Sequence, residues 1–316
     1  MTVYKTIKGF TVQTIAGDPP TPNIGQIWYN STSNTLKGTT AGGAAAGTWS
    51  SGGNMNTGRT SILPSQGGTQ TAAMAGAGGL PVSDSNSAEQ YNGTSWTAVN
   101  NVNNARSAGG GAGTSTATLI FGGNSPTVDT ESFDGTNWTE LANLNTSKES
   151  PRGTGTQTAA ICVGGANSNS NRTETWNGSS WTEVAELNTA RGAGQCMGLQ
   201  TAALFAGGGY PTVAVVESWN GSSWTEVADL NTGKNDGGAA GTSTLGLVFR
   251  LGTNESWNGS SWTELNNLAL SREGISGCGT QTSAVGFGGS PGPSSKGVAT
   301  EEWTVPETVT KTFDVS

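Results

Sequence analysis

The chain has 316 residues, of which 11% are charged and 33% hydrophobic, with 50 glycines, 11 tryptophans and no histidine. A net charge of −8 without any run of Lys or Arg argues against a nucleic-acid backbone as partner and disfavours anionic membrane surfaces. The lack of His removes the commonest general base and transition-metal ligand, and with them Ser-His-Asp or Cys-His catalysis and imidazole-bound copper.

Residues 1–47 read as a small β anchor segment. TVYKTIKGFTVQTI alternates as one or two strands, Pro19, Pro20 and Pro22 break it, and GQIWYN with NTLKG forms a hairpin. TTAGGAAAG is a linker of small residues. Met1–Phe10 has no apolar run and contains Lys5 and Lys8, so no secretion signal is expected and synthesis is cytoplasmic. No stretch approaches the ~20 apolar residues of a membrane helix.

From residue 48 to 305 the chain is repetitive. EQYNGTSWT, ESFDGTNWT, ETWNGSSWT, ESWNGSSWT and ESWNGSSWT begin at Glu89, Glu131, Glu174, Glu217 and Glu255. Each predicts a hairpin, because Asn-Gly or Asp-Gly between aromatic and β-branched runs is a strong turn signal. After each hairpin comes a loop ending in a basic residue, at Arg59, Arg106, Lys148, Arg191, Lys234 and Arg272. A Gly-rich stretch, a GTQT-type turn and an apolar run follow. That run ends in a glycine pair: Gly78-Gly79, Gly122-Gly123, Gly164-Gly165, Gly207-Gly208 and Gly288-Gly289, degraded to Leu251-Gly252 in the fifth repeat. Four short strands per period of about 40 to 50 residues predict an all-β propeller, and the counts give six blades. The sixth lacks its fourth strand, which the orphan strand at Trp49 supplies by pairing with the strand at Trp303, so that the two ends of the chain close the circle. Residues 306–316 alternate as a C-terminal strand that pairs with the N-terminal segment.

Little in the repeats suggests chemistry. A glutamate present in every blade is structural, paired with the repeated Arg or Lys. Cys162, Cys196 and Cys278 are buried hydrophobes with neither disulfide nor metal spacing. No catalytic residue, cofactor or metal is expected. The loops after the glycine pairs vary in length and content and share one face with the basic-residue loops, so candidate ligand-facing residues lie there: Asp84, Asn86, Asn124, Asp129, Asn167, Asn169, Tyr210 and Ser294. Amides and one aromatic ring suit sugar hydroxyls.

The glycine pair, the aromatic pair ending in Trp and the basic residue after the outer strand resemble kelch repeats, in order and six times over. The string GDPPTPNIGQIWYNSTSNTLKG, Gly17 to Gly38, resembles the segment preceding such repeats in virion and tail-fibre-like proteins of marine tailed phages. That resemblance implies a virion component assembled in the host cytoplasm, oligomeric in the particle and docked on other virion proteins through the N-terminal segment. It implies tail association and attachment to a host surface glycan or receptor. A purely structural decoration or tail part and a cellular kelch interaction module are the alternatives.

Overall fold

A computed structural model describes residues 12–18, 26–39, 47–124, 127–165, 171–292, 297–306 and 310–313. Among these residues there is no helix, and the strands form seven four-stranded sheets, none closed on itself. The chain divides into two compact units, Met1–Ala46 with Val305–Ser316, and Gly47–Thr304. The linker residues 40–46 and the alternating stretch before Val12 lie outside the described residues.

The smaller unit holds one sheet, of strands Gln13–Ile15, Ile27–Asn30, Thr35–Thr39 and Thr310–Phe313 in that order. The first pair is parallel and the others antiparallel, so the C-terminal strand lies on Thr35–Thr39. Asp18 organises this unit. Its carboxylate accepts from Trp28 Nε1 (3.1 Å) and Asn30 Nδ2 (2.7 Å) and pairs with Lys37 Nζ at 2.7 Å. Those three contacts hold its carboxyl below the ordinary range, the Lys37 bond most of all.

The larger unit contains six antiparallel sheets. The first runs through Leu63–Pro64, Ala73–Gly79, Asp84–Tyr91 and Trp96–Val99. The sixth takes Ser276–Gly279, Ser283–Phe287 and Thr300–Thr304 from the end of the unit and Thr48–Ser51 from its start, with Trp303 opposite Trp49. The glycine-rich first strands neighbour one another from sheet to sheet: Leu63–Pro64, Gly110–Thr114, Arg152–Gly155, Gln195–Leu199, Gly238–Gly241 and Ser276–Gly279, the last against the first. Glycine is required where they converge. A Cβ on Gly111 would lie 2.0 Å from the Pro64 carbonyl oxygen.

The hairpins differ from the two-residue turn that Asn-Gly suggests. Tyr91 pairs with Trp96, leaving the four residues 92–95 in the connection, and only the glycine takes positive φ (Gly93, 89°). The Asn92 side chain accepts from the Thr94 and Ser95 N–H groups at 2.9 Å, replacing the missing second αL residue with an Asx turn. Asp134, Asn177, Asn220 and Asn258 do the same. The flanking rings stack in tilted pairs 5.1–5.6 Å apart, from Tyr91–Trp96 to Trp49–Trp303. Trp indole N–H groups then reach the preceding sheet, as from Trp181 to Thr130 Oγ1 (3.0 Å) and from Trp96 to Thr300 Oγ1 (2.8 Å).

The repeated ions are buried and paired. Arg59–Glu89 (2.8 Å), Arg106–Glu131 (3.0 Å), Lys148–Glu174 (3.9 Å), Arg191–Glu217 (2.5 Å), Lys234–Glu255 and Arg272–Glu301 (2.6 Å) are almost solvent-free. Each carboxylate also receives backbone N–H groups from the loop that leaves the preceding sheet. Glu217, for example, accepts from Asn188 (2.8 Å) and Thr189 (3.2 Å). The glutamates therefore fasten neighbouring sheets together.

A second bond repeats at the same junctions. An N–H at the end of each apolar strand donates to the carbonyl of the basic residue opening the next repeat: Gly78 to Arg106, Gly123 to Lys148, Gly165 to Arg191, Gly208 to Lys234, Leu251 to Arg272, and Gly289 to Arg59. This bond corrects the pairing of positions in two repeats. The first has Ala77-Gly78 in the place expected for Gly78-Gly79, with a register shift between Gly76 and Gly78. The fifth has Arg250-Leu251 in the place expected for Leu251-Gly252.

Burial works to raise the Glu255 carboxyl, but Lys234 and Asn231 outweigh it and hold the group below the usual carboxylate range. Its stabilisation is therefore present above pH about 4.3 and lost as pH falls through the lower folded-state value. Glu255→Gln should cost about 3–5 kcal/mol in urea unfolding at pH 7, since Lys234 is left buried without its counter-ion. The gap between variant and parent should narrow below pH about 4. Burial also raises all three thiols, Cys162 and Cys278 to about 12 and Cys196 further. A thiol-reactive disulfide reagent at pH 8 should consume none of them in the native protein and three per chain in denaturant.

Candidate ligand-binding cleft

Two residues beyond each buried basic residue the backbone enters the left-handed region, at Ser61, Ala108, Ser150, Ala193, Asp236 and Gly274, with φ from 46° to 60°. These six positions surround the opening between the first strands and are linked by backbone bonds. Ser61 N–H donates to Gly274 O (2.8 Å), Ala108 to Ser61 (2.7 Å), Ala193 to Ser150 (2.9 Å) and Asp236 to Ala193 (2.8 Å). Behind them the space between the strands narrows to about 30 Å³, room for a single water. No ligand passes into it.

At this rim the sixfold regularity fails. Asp236 is the one ionisable residue among the six positions. Arg152, at the head of the third sheet's first strand, crosses the opening to Asp236 on the fifth (Nη2 to Oδ1, 2.8 Å). Its other nitrogen, Nη1, donates to the Ala108 (3.2 Å) and Pro151 (3.0 Å) carbonyls. Tyr210, from the loop after the fourth glycine pair, donates its hydroxyl to the other Asp236 oxygen. Burial of that hydroxyl and then the Asp236 charge beside it push the phenol well above its ordinary value. The residue as a whole is 66% exposed.

The opening widens over the fifth sheet. There the strands Gly246–Arg250 and Thr253–Trp257 are joined through only Leu251 and Gly252, whereas nine residues separate Ala206 from Val216 in the fourth. The short turn leaves a cleft of about 420 Å³, lined by Thr60, Ser61, Tyr210, Asp236, Arg250, Glu273, Gly274 and Ser290. Arg250 Nη2 lies 3.6 Å from a Glu273 oxygen, and Glu273 is largely exposed. The lining holds two carboxylates, Asp236 and Glu273, and one guanidinium, Arg250; Arg152 pairs with Asp236 from beside it, and hydroxyl groups and a tyrosine ring complete the surface. Such a surface offers both donors and acceptors to a small polar ligand.

Of the residues singled out from the sequence, Tyr210 borders this cleft and four other described ones do not. Asp84 and Asn86 lie in the strand Asp84–Tyr91, and the Asn86 carbonyl accepts from Val102 N–H. Asn124 is exposed, its N–H bonded to Ser107 O (2.6 Å). Asp129 is drawn into the junction of its own sheet, 3.9 Å from Arg106 and 3.3 Å from Asn104 Nδ2. Asn167, Asn169 and Ser294 lie outside the described residues. Arg152, Asp236, Arg250 and Glu273 are the residues that variable-loop reasoning missed. Alignment of the repeats would have found two of them: Asp236 against Ser, Ala and Gly two places after the basic residue, and Arg250 against five Gly or Ala.

No protein-family model matches the chain, and no curated protein sequence matches it. Among 409 matching solved chains is that of YjhT, a kelch-type β-propeller, with TM-score 0.67 and 12% identity over 83% of this chain and 99% of that one. At this identity the likeness is one of fold, and folds of this kind carry many unrelated functions.

Because the Tyr210 phenol is raised in the folded state, its contribution to stability is complete below pH about 10 and declines as pH rises beyond it. In urea titrations above that pH, the fall in midpoint should be shallower for Tyr210→Phe than for the parent protein.

Proposed function

We propose that the chain is a non-catalytic recognition protein: a six-bladed kelch-type β-propeller closed by strands from both ends, with a ligand cleft over its fifth blade. We further propose that it belongs to a phage virion, tail-associated, where the propeller binds a host surface glycan and the smaller unit docks on other virion proteins. The observation that carries the recognition reading is the localised break in symmetry. Five repeats keep small residues where the fifth has Arg250, and Arg152, Tyr210, Asp236 and Glu273 gather at the same edge. A purely architectural repeat has no reason to place charges there, since its sheets are already fastened by the buried pairs. The bonds from Gly289 to Arg59 and from Trp96 to Thr300 support a ring of six, as does the strand at Trp49 seated on that at Trp303. The virion setting is supported by the resemblance of Gly17 to Gly38 to segments of phage tail-fibre-like proteins, and by a surface rich in Asn, Ser and Thr and poor in charge.

The test is a glycan array and whole-cell binding assay with the full chain and with Tyr210→Ala. Saturable binding by the parent, weakened at least about tenfold in the variant, is the expected result for loss of a ring that covers one sugar face. Absence of binding to every glycan and cell type, with the protein still incorporated into particles, would replace recognition by a structural role.

A further inference from the structure

The two arginines at the cleft are not alike. Arg152 donates to three oxygens and pairs closely with Asp236. Arg250 is about as buried, its side chain 17% exposed against 15% for Arg152. Yet its Nε is solvent-free and without a hydrogen-bond partner, and the Glu273 oxygen near Nη2 is at 3.6 Å, beyond hydrogen-bond length. Nε is enclosed by protein, as it is in Arg59, Arg106 and Arg272, so the donors left to a ligand are at the Nη end beside Glu273, and that end is an incomplete half of a planar pair. The group that completes it is a carboxylate, which accepts two parallel N–H bonds from the fork. Glu273 is poorly suited to that task. It is mostly exposed, it sits on the rim, and its backbone is tied to Ser290 through both N–H and C=O, at 2.9 and 2.7 Å.

The rest of the lining defines what else the ligand carries. Thr60, Ser61 and Ser290 line the cleft with hydroxyl-bearing side chains, that of Ser290 already donating to Gly292 O, and Asp236 supplies acceptor oxygens that a ligand hydroxyl can share with Tyr210. The exposed Tyr210 ring offers a flat apolar face at the edge, suited to the C–H face of a pyranose. A cleft of about 420 Å³ accommodates one sugar ring with its substituents.

We propose that the cleft selects a hydroxylated carboxylic acid of the uronic acid class, whose carboxylate binds Arg250 in place of Glu273. This rests on the reading of the cleft as a ligand site. Glu273 then acts as a weak internal competitor, and its removal strengthens rather than weakens binding.

The experiment is calorimetric titration of the full chain with glucuronate, with glucose, and with an oligomeric uronate. Glucuronate should bind and glucose should bind at least about tenfold more weakly, the difference a charge-assisted bond provides. Arg250→Gln should abolish that preference. Glu273→Gln should tighten glucuronate binding about two- to fivefold, which is the strength of an exposed ion pair and an effect no misfolded variant would produce. Tighter binding of the oligomer than of the free acid identifies a polysaccharide as the source, and the reverse identifies a free metabolite; either supports the assignment. Equal binding of glucose and glucuronate, or weaker binding after Glu273→Gln, would overturn it while leaving sugar recognition intact. Binding of none of the three, with none on the glycan array, would overturn recognition itself.

Discussion

The buried ion pair between the basic residue of each loop and the glutamate of the third strand is the contact on which the architecture rests. Neither charge could be placed there singly. Burial depresses the guanidinium of Arg59, Arg106, Arg191 and Arg272, and the opposing carboxylate restores part of what burial removes. Two loop N–H groups satisfy remaining lone pairs of the carboxylate in five of the repeats, so the pair also determines where the chain leaves one sheet and enters the next. An apolar pair of equal volume could fill the space without fixing that geometry. The ionic version specifies the junction, which a protein with short strands and a third of its residues hydrophobic needs more than it needs extra burial.

Around that junction the other repeated residues have defined tasks. In five of the six sheets of the larger unit the outer-strand tryptophan covers the side of the hairpin and sends its indole N–H to the preceding sheet or the loop that leaves it; the Trp49 N–H is the exception. Glutamine in the GTQT turn does the same from the opposite end, as Gln157 does to the Thr118 and Phe133 carbonyls at 3.2 and 2.6 Å. These bonds cross between sheets, so the stability of one sheet is not separable from that of the next.

Much of this was legible because it repeats. The Asn-Gly and Asp-Gly turns located five hairpins, the repeated glutamate pointed to a structural pair, and the six basic residues gave a count of sheets. Details that depend on one backbone angle were not legible. Asn92-Gly93 suggests a two-residue turn, but the Asn side chain bonds to the backbone and spreads the turn over four residues. The glycine pair of the first repeat is displaced by one: Ala77-Gly78 takes its place, with the register shift at Ala77, and Gly79 continues the pairing opposite Asp84. The cleft was the least visible feature, for a physical reason. Loop variability directs attention to the long loops, whereas the opening exists because the fifth loop is short. Its charges come from a strand head (Arg152), a strand end (Arg250) and the rim (Asp236), positions that are unremarkable until the repeats are superimposed.

The sixth sheet has a consequence for how the protein is made. Ser50 and Glu302 meet although 252 positions separate them in the chain. Until Thr300–Thr304 is synthesised, the strand Thr48–Ser51 has no partner, and Trp49 has Phe249 but not Trp303 to pack on. Five sheets can form as they emerge, each supported by its predecessor, but the final one must wait. Contacts so distant in sequence are slow to form. The larger unit is therefore completed only when the strand Thr300–Thr304 arrives to pair with Thr48–Ser51, and until then that edge is open.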